Sequence, residues 1–443
     1  MIHLLVHLRF PDGNSVIVGD LAVAEPDPGR GGALQGEFRY RRSYLDDPRA
    51  FSIDPEHLPL EPGIFEARRP RAGVPAAFED SLPDDWGREL LARKHRLARD
   101  EQRVPVFLKL VGLKGLGALG YEDAGPPVAG PPRGRRTRRG ALAKVAAQAD
   151  AAAQTEAAVP DLPALAAAAR RVLEGDPARN DLDLLFRAGS SPGGARPKVL
   201  IHDEGIHWLA KLPVWRDTVN FVRIEAATLK LASAAGLEVP DCRVVQAGNT
   251  EALLVRRFEI AEPATSGGRY HRVSLATLLG AENFYNLGYA DIAEVLRRVS
   301  DRPQTDLMGI FRQAVFNAMV GNTDDHLKNF SMLHDARGWR LSPSYDLLPD
   351  VMRREEHVLS FGSRGNRPDY AALIELGRQT GLSSARMMGT IEGVYRAVEN
   401  WESVFRSYEV PEADMDFLRP TIERRLLRCA PESIDHRPGT PSP

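Results

Sequence analysis

One junction constrains this chain more than any other. Asp306 to Val320 carries apolar residues at Leu307, Ile310, Phe311, Ala314, Val315, Ala318 and Met319, helical spacing for a buried stripe, and it runs directly into the polar segment GNTDDHLKNFSML, Gly321 to Leu333. Charged groups caught between an apolar helix and the apolar pair Phe330 and Met332 sit where core meets solvent, and they need a reason to stay there.

Residues 1–125 show short alternating segments such as Ile2 to Phe10 and Ser15 to Val23, then a helix near Trp86 to Arg103, which predicts a small β-rich unit. His3, His7 and Arg9 break the apolar start, so it reads as a first strand and not as an export signal. Residues 126–181 differ. Pro126 to Gly140 holds four prolines and five arginines with no acid, which opposes folding and predicts a linker or surface loop. The Ala-rich stretch that follows contains LPALAAAARRVLE, a helix with Asp161 at its start and Gly175 past its end. Residues 182–260 read as paired strands around one helix: Lys198 to His202 and Ile206 to Leu212 flank the turn Asp203-Glu204-Gly205, Asn220 caps a helix that stops at Gly236, and Val239 to Gln246 pairs with Ala252 to Phe258. Residues 261–443 are mainly helical. A sheet-rich lobe followed by a helix-rich one predicts an α+β, two-lobed, protein-kinase-like fold.

Bulk properties exclude several classes. With 58 basic and 60 acidic residues the surface as a whole is not built to neutralise nucleic acid. Cys242 and Cys429 lack the spacing of a zinc site or a disulfide framework, and no apolar run reaches the roughly 18 residues that cross a bilayer. A cytoplasmic protein with no membrane association is expected.

Phosphoryl transfer needs a phosphate cradle, a cation on the phosphates, oxygen ligands for Mg²⁺ and a group that positions the nucleophilic hydroxyl. GSSPGGARPK offers glycines at Gly193 and Gly194 and hydroxyls at Ser190 and Ser191 for the cradle, although a Gly-rich turn alone is more often a tight hairpin entry, and the segment lacks a Walker A ending. Lys211 is a charge inside the apolar strand WLAKLP, and Glu225 on the next helix is the candidate to orient it. Asp324 and Asn329 stand five apart, the spacing of a kinase catalytic-loop aspartate and its Mg²⁺-binding asparagine; Asp325 lacks that separation. His326 suits a loop organiser, and Lys328 either approaches the transferred phosphate or pairs with an aspartate. Asp346 follows the strand Trp339 to Leu341 and suits a second Mg²⁺ carboxylate, with Asp350 a weaker addition.

In this order GSSPGGARPK, WLAKLP, VRRFE, GNTDDHLKNFSML and SPSYDLLPD resemble the successive motifs of the HipA-family serine/threonine kinases, the toxins of bacterial type II toxin–antitoxin pairs. The resemblance runs from about Leu182 to the C-terminal helices, with weaker likeness in YLDDPRAFSIDPEHLPL and PAAFEDSLPDDWGRELLARK upstream. It implies ATP and Mg²⁺ as cofactors, Asp324 as catalytic aspartate, Asn329 and Asp346 as Mg²⁺ ligands, and Lys211 on ATP. It further implies a nucleotide contact at Phe258 of VRRFE and an inhibitory self-phosphorylation at Ser191. The implied partners are a protein substrate of the translation machinery and a helix-turn-helix antitoxin that carries the chain to DNA. Arg256 stands where the family often has Glu, and the Arg-rich segment is longer than the resemblance leads one to expect. Two other readings stay open: an inactive pseudokinase acting as a scaffold in an antitoxin–DNA complex, and a metal-dependent phosphohydrolase built on Asp324, Asp325, His326 and Asp346.

Overall fold

Alternation of apolar and polar residues at the N-terminus produces a sheet with one buried face. In the computed structural model, which describes all residues except 27–28, 30–31, 116, 126–160, 189–195, 263–266, 282–286 and 432–443, five antiparallel strands pair in the order β4-β3-β2-β1-β5. They are β1 (Ile2–Arg9), β2 (Ser15–Val23), β3 (Gly36–Tyr40), β4 (Phe65–Glu66) and β5 (Leu119–Asp123). Leu4, Val6, Leu8, Val18, Leu21 and Phe38 lie on the buried face, each removing about 1.5–3 kcal/mol worth of apolar surface from water. The helical region near Trp86 is two helices, α1 (Asp85–His95) and α2 (Val104–Val111). Arg96 adopts a left-handed conformation at φ 53° and ends the first of them.

A second antiparallel sheet, in the order β6-β7-β9-β8, comprises β6 (Lys198–Asp203), β7 (Ile206–Lys211), β8 (Cys242–Ala247) and β9 (Thr250–Arg256). Glu204 and Gly205, at φ 51° and 78°, form the tight turn between β6 and β7. The outer face carries Val199, Ile201, Trp208, Ala210, Ala252 and Leu254, and it packs in one cluster with Trp86 and with two helices. The first is α3 (Leu162–Glu174), which Gly175 ends at φ 83° as the sequence predicts, although the Asp161 side chain makes no cap hydrogen bond. The second is α4 (Asp181–Arg187), seven residues long and absent from the sequence reading because so short a run has no resolvable period. Between β7 and β8 lies α5 (Phe221–Ala234), whose N-cap Asn220 accepts a 3.1 Å hydrogen bond from the Arg223 amide.

The C-terminal lobe is organised around α7 (Pro303–Val320). The sequence predicts one buried stripe, yet Gln313, Phe316 and Asn317 are buried too. This helix is enclosed because α6 (Tyr289–Val299), α8 (Tyr370–Gln379), α9 (Ser384–Glu399) and α10 (Glu412–Cys429) all pack against it. A three-stranded sheet, β10 (His271–Ser274), β11 (Ser331–Asp335) and β12 (Gly338–Leu341), receives the Gly321–Phe330 loop and launches the Asp346 segment at the same end, where Ser331 stands opposite Ser342. Between this lobe and the inner face of the second sheet lies a cleft. Among the described residues no helix is long and apolar enough to cross a membrane.

Candidate active site

The two-residue turn fixes the register of the β6–β7 hairpin, and that register sets Lys198 directly opposite Lys211. Alternation then sends both side chains to the inner face, away from Val199 and Ala210. Two ammonium groups on one buried face require anions. Lys211 Nζ donates to Glu225 of α5 and, at 2.5 Å, to Asp346 Oδ1. Burial works against its charge, but the two carboxylates outweigh burial and hold its pKa above the ordinary lysine value. Burial likewise pushes Asp346 up, and Lys211 and Lys198 reverse that, holding the carboxyl well below the usual carboxylate range. Protein surrounds Asp346, yet 38% of its side-chain surface stays open to the cleft, so an oxygen remains accessible. Its φ of 58° is uncommon for a residue with a Cβ and aims the carboxylate at the lysine.

Lys198 is 5% exposed, and burial lowers its pKa. The nearest carboxylate is Asp84 Oδ2 at 3.8 Å, from the N-cap of α1, where Asp84 also accepts the Gly87 amide at 2.9 Å. Burial raises the Asp84 carboxyl to about 6 against the pull of Lys198. The sequence reading missed this pair. Counting outward from the Asp203–Gly205 turn was the available signal for Lys198; Asp84 had none.

On the opposite wall, Asp324 is exposed and lines the cleft. Asn329 Nδ2 donates to the Asp324 carbonyl at 2.9 Å, closing the loop and freeing its own amide oxygen for another partner. Its neighbour is committed elsewhere: both Asp325 oxygens are taken, Oδ2 by Tyr289 at 2.7 Å and His357 at 3.1 Å, Oδ1 by the Val358 and Leu359 amides at 2.9 and 3.3 Å. Asp350 accepts from Arg354 at 2.8 Å. His326 and Lys328 line the cleft, and Lys328 supplies its carbonyl to the Tyr345 hydroxyl at 2.9 Å.

These groups surround one cavity of about 600 Å³, within the range of small-molecule and cofactor sites. Its apolar lining includes Leu209, Leu229, Val255 and Phe258, with Phe258 5.4 Å from the Tyr345 ring. Lys211, Glu225, Asp324, Asn329 and Asp346 converge on it. The Arg256 guanidinium is tied to Asp241 at 3.1 Å and Glu262 at 2.6 Å. Ser191, Gly193 and Gly194 lie outside the described residues. The N-terminal part lines this cavity too, through Asp80, Asp84 and Arg88 among others, a role that sequence reasoning did not assign to them. Among the described residues no three His, Cys, Asp or Glu side chains form a metal cage. One carboxylate plus one amide oxygen is instead a hard-oxygen pair of the kind Mg²⁺ uses together with phosphate oxygens.

The HipA-like C-terminal domain model matches residues 190–401, and the HipA N-terminal domain model matches 16–122. The chain belongs to the HipA family. Two Sinorhizobium fredii proteins are similar to it: "Putative kinase Y4mE", 37% identical over 134 residues, and "Putative kinase Y4dM", 28% identical over 249. Those matches take in 29% and 49% of this chain, and the chain spans 32% and 58% of the respective relatives. Among solved structures, the Shewanella oneidensis MR-1 toxin–antitoxin complex of HipA, HipB and operator DNA aligns with a TM-score of 0.63 at 17% identity, covering 96% of both chains. That likeness establishes a common fold for this HipA-family chain, N-terminal sheet included.

Proposed function

We propose that this HipA-family chain is an ATP- and Mg²⁺-dependent serine/threonine protein kinase. The observation that carries the reading is the convergence of Lys211, Glu225, Asp346, Asp324 and Asn329 on one cavity with an apolar recess. Lys211, kept charged by its two carboxylates, would bind phosphate oxygens, with Glu225 holding the lysine in place. Asp324 would orient the acceptor hydroxyl and receive its proton, and Leu209, Val255 and Phe258 would offer the base an apolar wall. Asp346 and Asn329 would hold Mg²⁺, which supplies charge neutralisation on the transferring phosphoryl group.

In its finer form the proposal makes the chain the toxin of a type II toxin–antitoxin system. It is then cytoplasmic, partnered by a helix-turn-helix antitoxin through which it reaches DNA, and directed at a protein of the translation machinery. The HipA–HipB–operator complex of S. oneidensis supports this choice of partner. Self-phosphorylation at Ser191 would put about two negative charges into the phosphate cradle and repel nucleotide.

Incubation with γ-labelled ATP and Mg²⁺ tests the reading. The wild type is expected to label itself, Asp324→Ala to abolish labelling, and Ser191→Ala to remove most self-labelling while sparing transfer to a partner. Undiminished labelling by Asp324→Ala would sink the assignment of that residue, and nucleotide binding without any transfer would favour the pseudokinase scaffold.

A further inference from the structure

Beneath the loop that carries Asp324 runs a buried chain of side chains with a fixed hydrogen-bond direction. Arg425, on α10, is fully buried, His357 is 2% exposed and Asp325 is 1% exposed. Arg425 Nη1 lies 3.0 Å from His357 Nε2. A guanidinium has only donors, so Nε2 must accept. The ring proton therefore sits on Nδ1, which donates at 3.1 Å to Asp325 Oδ2. A neutral imidazole of one tautomer thus separates one buried cation from one buried anion, and every link points the same way.

Each end of the chain grips the loop or its surroundings. Arg425 Nη2 donates to the Arg354 and Glu355 carbonyls at 2.8 and 3.3 Å. Its stem packs beneath Gly321, the first loop residue, so closely that a methyl there would lie 3.0 Å from Arg425 Cδ and Nε, on a backbone already at φ 82°. At the other end, Tyr289 joins Asp325 to Asn317, which donates to the Tyr289 oxygen at 2.9 Å and accepts from Asn322 at 3.1 Å. The loop is therefore fastened to α6, α7, α10 and the 354–359 segment through one carboxylate adjacent to Asp324. Replacing buried ionic groups by apolar residues of equal volume is often neutral or stabilising, so stability alone does not account for a buried charged chain here.

We propose that Arg425 and His357 are positioning residues that, through Asp325, set the placement of Asp324. The catalytic meaning of that placement rests on the kinase reading, whereas the anchoring does not. In Asp325→Asn the new amide keeps an oxygen for the Val358 and Leu359 amides, but its N–H groups then meet two donors, the His357 Nδ1–H and the Tyr289 O–H, and Arg425 prevents the ring from changing tautomer. Replacing Arg425 by Gln in the same chain supplies a carbonyl that accepts Nε2–H, so the ring reverses and Nδ1 accepts from the new amide. The single variant should lose and the double variant should recover in part, because the Tyr289 O–H still opposes the new amide.

The test uses the full chain in three forms: wild type, Asp325→Asn, and Asp325→Asn/Arg425→Gln. The expected result is a kcat lower by about 10- to 100-fold in the single variant, KM for ATP within about twofold, and recovery of a large part of the lost kcat in the double. Amide exchange across 321–330 is expected to be slow, fast and slow again in that series. Nitrogen chemical shifts of His357 in the wild type should report the Nδ1–H tautomer at neutral pH, a measurement that needs no variant to fold. An Nε2–H tautomer, a double variant no better than the single, or a rise in KM at constant kcat would overturn the proposal. If the wild type transfers no phosphate, the kinase reading fails, and the tautomer and amide exchange still decide the anchor.

Discussion

The two larger sheets follow the same rules of alternation and differ in what those rules bury. In the first, the inward positions Leu4, Val6, Leu8, Val18, Leu21 and Phe38 are all apolar. In the second, Val199, Ile201, Trp208 and Ala210 do the same work on the outer face, but the inner face holds Lys198 and Lys211 opposite one another. A sheet that departs from binary patterning at two paired positions is supporting something other than its own stability. The first sheet shows what the pattern looks like when packing alone decides it.

Three measurements bear on that difference. The largest expected effect lies in the second sheet. Lys211→Met combined with Glu225→Gln removes both members of that buried pair, while Asp346 loses its 2.5 Å partner but keeps Lys198 and, with 38% of its side-chain surface open, solvent as compensation, so the melting temperature should stay within a few degrees. Transfer from ATP should nevertheless fall at least about a thousandfold, equivalent to about 4 kcal/mol of transition-state stabilisation. Joint loss of melting temperature and activity would make the pair a structural one. Next, Leu4→Ala in the first sheet should cost about 3 kcal/mol in denaturant unfolding and leave KM for ATP unchanged. A change in nucleotide affinity there would erase the distinction between the sheets.

The smallest effect concerns Asp84. Its folded-state pKa of about 6 exceeds its ordinary 3.8, so the folded protein holds this proton more tightly than the unfolded chain. The associated stability is complete below about pH 4 and is lost as pH rises through about 6. Asp84→Asn keeps an N-cap acceptor for α1 and has no proton to lose. The stability difference between wild type and variant should therefore change across that interval and be flat above it. A difference independent of pH would show that burial does not control this carboxyl.

Much of this arrangement was legible in the sequence because it is local. The Asp203–Gly205 turn, the Asn220 cap, the Gly175 stop and the Asp324-to-Asn329 spacing are all written within a few residues. Lys211 was conspicuous as a charge in an apolar run. Asp84, His357 and Arg425 were not, since each looks like an ordinary surface residue until a partner far along the chain is known; His357 and Arg425 lie 68 positions apart. The complete enclosure of α7 was equally invisible, because Gln313 and Asn317 read as a solvent face when the packing of α6 and α10 is unknown. Short helices such as α4 lie below the length at which periodicity discriminates.

The Glu204–Gly205 turn has a consequence for how this chain can vary. Side chains along a strand change sides with every residue, so one amino acid added between β6 and β7 would rotate the whole of β6 by half a turn. Val199 would then face the cleft and Lys198 the hydrophobic layer of α3. A deletion or insertion of one at this tip is therefore forbidden where a change of side chain is tolerated, and the loop's length, more than its composition, is what natural or laboratory diversification must leave intact.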